Sequence, residues 1–381
     1  MIQLPKTQKS VQIIQQSSVA ESTAGKGSAV WHEIQIKESP FEIPERNIEN
    51  EKNQQSDDPI LTIKIKSFAF NHRDVWIRKG LYRKIKFGST LGSDCFGTVI
   101  SPSDHHLSGK DVLVYPAVNW LNDPRGGPDV PGKEFGILGG THETDGLGTF
   151  TDHINIPASH CVTAPSHLDL MSASAVPLAG LTAFRAVFNK GQVKPSSNIL
   201  ITGIGGGVAI WALQFCVAIG ANVWVTSSSE QKIEQACRLG AKAGVNYTED
   251  SWPQRLASLL PSETQYLDVV IDSGGGDIAQ KCSKILRPGG IIVNFGCTSG
   301  RPLSFTMAEV LKNLELRGCT MGSLKEFKEM VAFVDKHTIQ PVVYKTLRGF
   351  EQVEDGFQIV KAGQQFGKVV VVIDPENYHK L

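Results

Sequence analysis

Residues 198–229 read NILITGIGGGVAIWALQFCVAIGANVWVTSSS. The branched apolar run Ile199-Leu200-Ile201 predicts a strand, and it leads into glycines at 203, 205, 206 and 207. A long apolar helix pattern over Val208–Ile219 follows, and Val223-Trp224-Val225 predicts a second strand. Strand, glycine turn, helix and strand, in that order, are what a dinucleotide site requires. Glycines let backbone approach a pyrophosphate, while a helix N-terminus offers unpaired N–H groups and a partial positive charge. The fingerprint G-x-G-x-x-G/A fits imperfectly. Counted from Gly203, its third glycine position is Val208; counted back from Ala209, its first is Ile204. An ordinary tight turn is the competing reading of these glycines taken alone.

The far end of the stretch bears on cofactor choice. An NAD site usually places Asp or Glu after the second strand to hold the ribose 2′-OH. Here Thr226-Ser227-Ser228-Ser229 stand there, with Lys232 one helical turn onward. Hydroxyls and a cation suit a 2′-phosphate, so NADP(H) is the expected cofactor. The purely structural reading is a capping box of Ser227 with Glu230 and a solvated Lys232.

From Ser172 onward, strand and helix patterns alternate: Ser172–Phe188 as helix, then VWVT, EQKIEQACRLG, AGVNY, LDVVID, IAQKCSKIL and IIVNFG. Short branched strands between helices predict a parallel sheet covered on both faces. The strand ends Asp272-Ser273-Gly274-Gly275 and Phe295-Gly296-Cys297-Thr298 would lie at its ligand-binding edge, with Cys297 as pocket wall rather than nucleophile. The first 165 residues are β-rich and irregular, with strands expected at Ser10–Ile14, His32–Ile36, Leu61–Phe68, Gly97–Ile100, Asp111–Val114 and Thr151–Ile156. Polar Glu45–Asp58 and Pro/Gly-rich Asn119–Gly140 read as long loops. After Asp335, a strand near Val342, a helix over Glu351–Ile359 and a strand at Gly367–Ile373 could extend the parallel sheet or return to the N-terminal part.

At 381 residues the chain is long enough for two domains. Lys+Arg 38 against Asp+Glu 38 leaves no basic block for nucleic acid or anionic membrane. Apolar runs are too short to span a bilayer, and the N-terminus lacks signal- or transit-peptide character. Seven scattered cysteines without a C-x-x-C pair point to a reduced, cytoplasmic setting.

The chain closely resembles the medium-chain dehydrogenase/reductase superfamily, nearest its zinc-free, quinone-oxidoreductase-like branch. The resemblance rests on FAFNHRDVWIRKGLY (Phe68–Tyr82), LGSDCFGTV (Leu91–Val99), VPLAGLTAFRAV (Val176–Val187), GVNY (Gly244–Tyr247), LRGCTMGSLKEF (Leu316–Phe327) and FGKVVV (Phe366–Val371). It implies a GroES-like β-barrel domain over 1–166, a Rossmann NADP(H) domain over 167–340, and a return segment, 341–381, completing the first. The family's G-x-G-G-V-G/S string falls on Ile204-Gly205-Gly206-Gly207-Val208-Ala209, with Gly203 supplying the turn that Ile204 cannot.

Residue by residue, the resemblance implies substrate contact by Asn71 and Tyr82, with Asp74 holding the loop that presents them. It implies cofactor contacts from Gly203, Gly205–Gly207, Val208, Ala209, Ser227, Ser228, Lys232 and Tyr247. Thr182 and Thr298 are expected toward the nicotinamide carboxamide and ribose, Phe295 and Cys297 on the sheet edge beside them, and Gly367 and Lys368 closing the far side, a solvated cation being the competing reading of Lys368. Zinc members carry a Cys three residues before the motif's Asp, a Gly-His-Glu downstream and a further Cys. Here those places hold Asn71, Gly92-Ser93-Asp94 and Ala179-Gly180, and the four-cysteine lobe region, Asn119–Gly140, has no cysteine. No metal is therefore expected. Hydride transfer to a quinone or an α,β-unsaturated carbonyl compound follows, since conjugation spreads the developing charge. The alternatives are a metal-free carbonyl reductase and a nonenzymatic NADPH-binding regulatory protein. A homodimer through the cofactor domains, by way of Leu303–Gly318, is expected from the resemblance.

Overall fold

The computed structural model describes residues 4–16, 30–44 and 58–373. The expected loop Glu45–Asp58 thus lies outside the described residues except for Asp58. Two compact units emerge, one holding the chain up to Leu178 with Ser323–Gln364 and Lys368 onward, the other Ala179–Gly322 with Gln365–Gly367.

The first unit opens with β1 (Thr7–Ile14), β2 (Glu33–Pro40) and β3 (Ile60–Ala69), then helix α1 (His72–Arg78). There follow β4 (Asp94–Ser101), β5 (Asp111–Val114), β6 (Ala117–Val118), β7 (Gly136–Ile137), β8 (His153–Pro157), β9 (Cys161–Thr163) and α2 (Leu170–Ser174). The chain enters the second unit within α3 (Pro177–Phe184). The helix expected over Ser172–Phe188 is broken there. Pro177 has no N–H to continue α2, and beyond Phe184 the backbone widens into a π-helix, Arg185–Lys190.

The second unit alternates β10 (Asn198–Ile201), α4 (Gly207–Ala218), β11 (Asn222–Ser227), α5 (Glu230–Arg238), β12 (Ala243–Asn246) and α6 (Trp252–Leu259). It continues with β13 (Leu267–Asp272), α7 (Ile278–Ser283), β14 (Leu286–Asn294), α8 (Met307–Leu311) and β15 (Glu315–Gly318). The chain returns through α9 (Leu324–Lys336), β16 (Val343–Arg348), α10 (Val353–Ala362) and β17 (Lys368–Val372).

In the second unit the six strands are all parallel in the order β12-β11-β10-β13-β14-β15. That is the doubly wound order, whose winding reverses between β10 and β13 and leaves the ligand crevice at their carboxyl ends. β10, β11 and β13 are almost wholly buried, as branched strands in a covered parallel sheet must be.

In the first unit, β17 pairs antiparallel with β3, and β3 continues the sheet through β4, β5 and β9. The C-terminal segment therefore joins the N-terminal part, settling the alternative the sequence left open. Phe68, Phe70, Phe150 and Phe357 stack edge and face at its core, with ring centroids 4.4–6.3 Å apart. Gly356 lets α10 close on Phe70, since a Cβ there would lie 2.2 Å from the ring. The division between units falls later than 166/167 and earlier than 340/341. Asp94 accepts the Leu178 N–H (2.7 Å), and α9 begins on backbone bonds from Leu324 and Lys325 to Trp120 and Leu121.

Candidate functional site

At the glycine turn of the second unit, Gly203 has φ +62° and Gly205 φ +139°, conformations that side chains rarely adopt. Ile204 is buried between them, its N–H donating to Thr226 O (2.9 Å), and Gly203 N–H donates to Thr226 Oγ1 (3.3 Å). Gly203 therefore makes the turn that the displaced fingerprint requires. Gly206 caps α4 with no side chain, and a Cβ on it would meet nothing within 4 Å. The first backbone bond of the helix runs from Ile210 to Gly206, which leaves the N–H groups of Gly207, Val208 and Ala209 to an outside acceptor. Gly367 closes the turn by donating to Gly205 O (3.0 Å). Open space before an uncapped helix N-terminus fits an anionic pyrophosphate.

Lys232 is half-buried, and burial lowers its pKa below the ordinary 10.5. Its stem lies against the glycine turn, since a Cβ on Gly205 would be 3.0 Å from Cδ and 3.2 Å from Nζ. Capping differs from the expected box. Ser229 is the N-cap of α5 and accepts the Lys232 N–H (3.4 Å), while Ser227 Oγ accepts from Ser229 N (3.1 Å). Glu230 is exposed and takes no part in the cap, because the helix starts two residues later than a cap at Ser227 needs. Ser228 and Tyr247 are exposed beside them, the latter bonded through its N–H to Ser227 O (3.1 Å). No carboxylate stands at the end of β11.

The strand-end residues divide. Phe295 is partly buried with its N–H on Asp272 O (3.0 Å), and Cys297 and Thr298 are exposed on the following loop. The Cys297 thiol donates to Arg301 O (3.0 Å). Thr182 is buried, and its hydroxyl donates to Met321 Sδ (3.8 Å).

The first unit sets Asn71, Asp74 and Tyr82 around two buried cations, Lys368 and Arg73, of which the sequence singled out only Lys368. Asn71 caps α1, and Asp74 reaches back to accept its N–H (2.8 Å). The ammonium of Lys368 is committed within the first unit. It is 5% exposed and donates to Phe70 O (2.6 Å), Asn71 Oδ1 (2.7 Å) and Asp94 Oδ2 (2.9 Å). The pair is buried: in β17, Lys368 faces a carboxylate that is 0% exposed. Asn71 Nδ2 in turn donates to Asp94 Oδ2 (2.9 Å). An ammonium can only donate and a carboxylate only accept, so the amide's orientation is fixed and one N–H remains to give.

Arg73 forms a second buried cation, donating to Ser93 Oγ (2.8 Å), Leu138 O (2.6 Å) and Gly139 O (3.1 Å). Its guanidinium lies 4.8 Å from the Tyr82 ring centroid, with Nε 3.5 Å from the phenol oxygen. Tyr82 accepts there and keeps its own proton to donate. Nothing in the sequence pattern singled out Arg73 or the partnership of Lys368 with Asp94, because both pairings span long sequence separations.

Asp74 is fully buried, and desolvation pushes its carboxyl up to about 6, against the opposing pull of Arg73, the Asn71 N–H and Lys368. Its Oδ1 has no hydrogen-bond partner. Between about pH 4 and 6 the folded protein keeps a proton that the unfolded chain has lost, so stability falls as pH rises through that window. Asp74→Asn should remove this slope while still accepting the Asn71 N–H. Thermal melts should show its midpoint, relative to wild type, higher at pH 8 than at pH 5; an equal difference at both pH values would contradict this account.

Residues 57–166 match the alcohol dehydrogenase GroES-like domain, and residues 207–336 match the zinc-binding dehydrogenase family. A zinc-type alcohol dehydrogenase-like protein of Leptosphaeria maculans is 43% identical over 82% of this chain and 90% of its own length. Another from Schizosaccharomyces pombe is 30% identical, over 89% of this chain and 96% of its own. The chain belongs to the medium-chain dehydrogenase/reductase superfamily, in its zinc-free, quinone-oxidoreductase-like branch. Within that superfamily, quinone oxidoreductase 1 of Escherichia coli is 26% identical over 63% of this chain and 65% of its own length. A solved NAD-dependent alcohol dehydrogenase is 28% identical with a TM-score of 0.74, covering 89% of this chain and 96% of that one. A 2-octenoyl-CoA carboxylase reductase, solved with NADP and 2-octenoyl-CoA, shares the fold at 20% identity and TM-score 0.77, covering 98% and 89%.

The superfamily's zinc does not fit the residues present. Where its zinc members hold a thiolate and an imidazole, this chain has the Asn71 amide and the Ser93 hydroxyl, each bonded to a buried protein cation. A dication beside Lys368 or Arg73 would meet repulsion and no soft ligand. Among the described residues no group of three or more His, Cys, Asp or Glu is arranged to hold a metal ion. The region of the four-cysteine lobe is held by a carboxylate instead: Asp129 accepts the N–H groups of Leu121 (2.6 Å), Asn122 (2.6 Å) and Asp123 (2.8 Å). No helix among the described residues is long and apolar enough to cross a membrane.

Proposed function

We propose that the chain is an NADPH-dependent reductase that delivers hydride to a quinone or to the β-carbon of an α,β-unsaturated carbonyl compound. The observation that carries the reading is the fixed Asn71 amide, a neutral donor held between Lys368 and Asp94 where zinc relatives have a metal ligand. NADPH supplies the hydride when bound. The free N–H of Asn71 then donates to the substrate oxygen, where negative charge collects as the conjugated system is reduced. Such a preorganised donor is worth about 10²–10³ in rate when aimed at a developing oxyanion. The Tyr82 phenol, held by Arg73, is the second donor in this reading, and the proton that completes the reduction comes from solvent or from that phenol. An unactivated alcohol gains less here, since nothing in the Asn71 network lowers its pKa as a Lewis acid would.

NADPH over NADH rests on Lys232, Ser227 and Ser228, because relatives of this fold are named for both cofactors. The pyrophosphate would lie on the amides of Gly207–Ala209 and the 2′-phosphate between the serines and Lys232. Lys232→Ala should raise the KM for NADPH about 10–100-fold, the worth of a hydrogen bond to a charged group. The KM for NADH should move less than about threefold; equal small effects on both cofactors would sink the assignment.

A homodimer is supported by the edge position of β15, where Leu316 is exposed, and by α8, which exposes Met307, Val310 and Leu311. The substrate class is tested by NADPH oxidation with purified, metal-analysed protein against quinones, conjugated enones and saturated aldehydes, with NADH as control. Turnover of quinones or enones but not saturated aldehydes is expected. Turnover of the aldehydes alone would favour direct carbonyl reduction, and tight NADPH binding without turnover a binding protein.

A further inference from the structure

One buried carboxylate stands where the parallel sheet reverses its winding. Asp272, the last residue of β13, is 1% exposed. Its Oδ1 accepts from Thr202 Oγ1 (2.6 Å), just past β10, and from Gly274 N (3.1 Å). Its Oδ2 accepts from Gly275 N (2.7 Å) and from Asn294 Nδ2 (2.9 Å), at the end of β14. One charge thus holds the carboxyl ends of three adjacent strands and the first two glycine amides of a loop. Bonds to an ionised acceptor are roughly twice as strong as neutral ones, and burial strengthens them further.

The restraint continues outward. Thr202 Oγ1 accepts from Ser273 N (3.2 Å), and the loop after β14 is joined to the loop after β13 by Thr298 Oγ1 to Ser273 O (3.1 Å) and Ser299 Oγ to Gly274 O (2.6 Å). Gly276 N donates to Arg301 O (3.2 Å). A carboxylate that served sheet cohesion alone would need only Thr202 and Asn294. This one also fixes Gly274 and Gly275, at the crevice where a doubly wound sheet takes its ligand.

We propose that Asp272 is a positioning residue for the dinucleotide, holding the loops at 272–276 and 295–301 in their ligand-receiving arrangement before the cofactor arrives. Binding then avoids the entropy of ordering them. The proposal rests on reading this unit as an NADPH site.

The test uses the full chain, with NADPH affinity read by fluorescence titration and stability by thermal melt without cofactor. Asp272→Asn should weaken NADPH binding at least about tenfold, since its amide turns an N–H toward donors. Adding Asn294→Asp returns a carboxylate to the same side-chain pair from the neighbouring strand. The double swap should recover the melting temperature but not the affinity, because a carboxylate at 294 no longer bonds the amides of Gly274 and Gly275. Recovery of both by the swap, or unchanged affinity in Asp272→Asn, would overturn the proposal. Thr202→Val, which removes one donor and keeps the carboxylate, guards against a variant that fails to fold; a several-fold loss of affinity is expected, and none would count against the role. Wild type that takes NADH and not NADPH would refute the cofactor reading alone, and the same series would then be read with NADH.

Discussion

Lys368→Met should lower the unfolding free energy by about 3–5 kcal/mol, the usual cost of removing one partner from a buried ion pair. Asp94 is wholly buried, and its other bonds, to Asn71 Nδ2 and the Leu178 N–H, are dipolar and do not cancel its charge. Phe70 O and Asn71 Oδ1 would lose their donor at the same time. The double variant Lys368→Met/Asp94→Asn removes both charges and should recover more than half of the loss. Urea unfolding at neutral pH measures both. A loss below about 1 kcal/mol in the single variant would mean the pair is not the anchor described here, since exposed pairs contribute that little.

Asn71→Ala should lower kcat about 10²–10³-fold on a quinone or enone substrate, with the KM for NADPH within about threefold of wild type. The split matters more than the size. Asn71 belongs to the first unit, whereas the glycine turn, Ser227 and Lys232 belong to the second, so its loss should spare cofactor binding. A donor made only in the transition state lowers kcat and kcat/KM together. A normal kcat with a raised substrate KM would reduce Asn71 to a binding contact. The Lys368→Met/Asp94→Asn protein offers a second reading of the same point. It keeps the amide but frees it to rotate, and its kcat should fall with the NADPH KM unmoved.

Much of this molecule was legible in the sequence, and the reason differs by region. The second unit is built from local signals: branched strands of four to nine residues, helices between them and a glycine turn whose oddity, Ile204, was visible at once. The bond of Asp74 to the Asn71 N–H is local too, a cap joining residues three apart, although Asp74 stood out in the sequence only through the resemblance. The helix break at Pro177 was missed because the apolar pattern runs straight through it. The anchoring bond of Lys368 was not legible for a different reason. Its partner Asp94 is 274 positions away, and no periodicity connects the two. Arg73 with Leu138 and Asp129 with the 121–123 amides belong to the same kind of information, carried by loops and strand ends that meet only after folding.

The position of β17 beside β3 also has a consequence for synthesis on the ribosome. The second unit is encoded almost in one piece and can fold as it emerges. The first unit cannot be finished until β17 has left the exit tunnel, because β8 pairs with only the first half of β3 and the Ser67–Ala69 end keeps one open edge until β17 arrives. Lys368 arrives with that strand, so until then Asp94 has no counter-ion. The nascent chain must hold an open sheet edge and an unneutralised acid together, the window in which chaperone protection matters most.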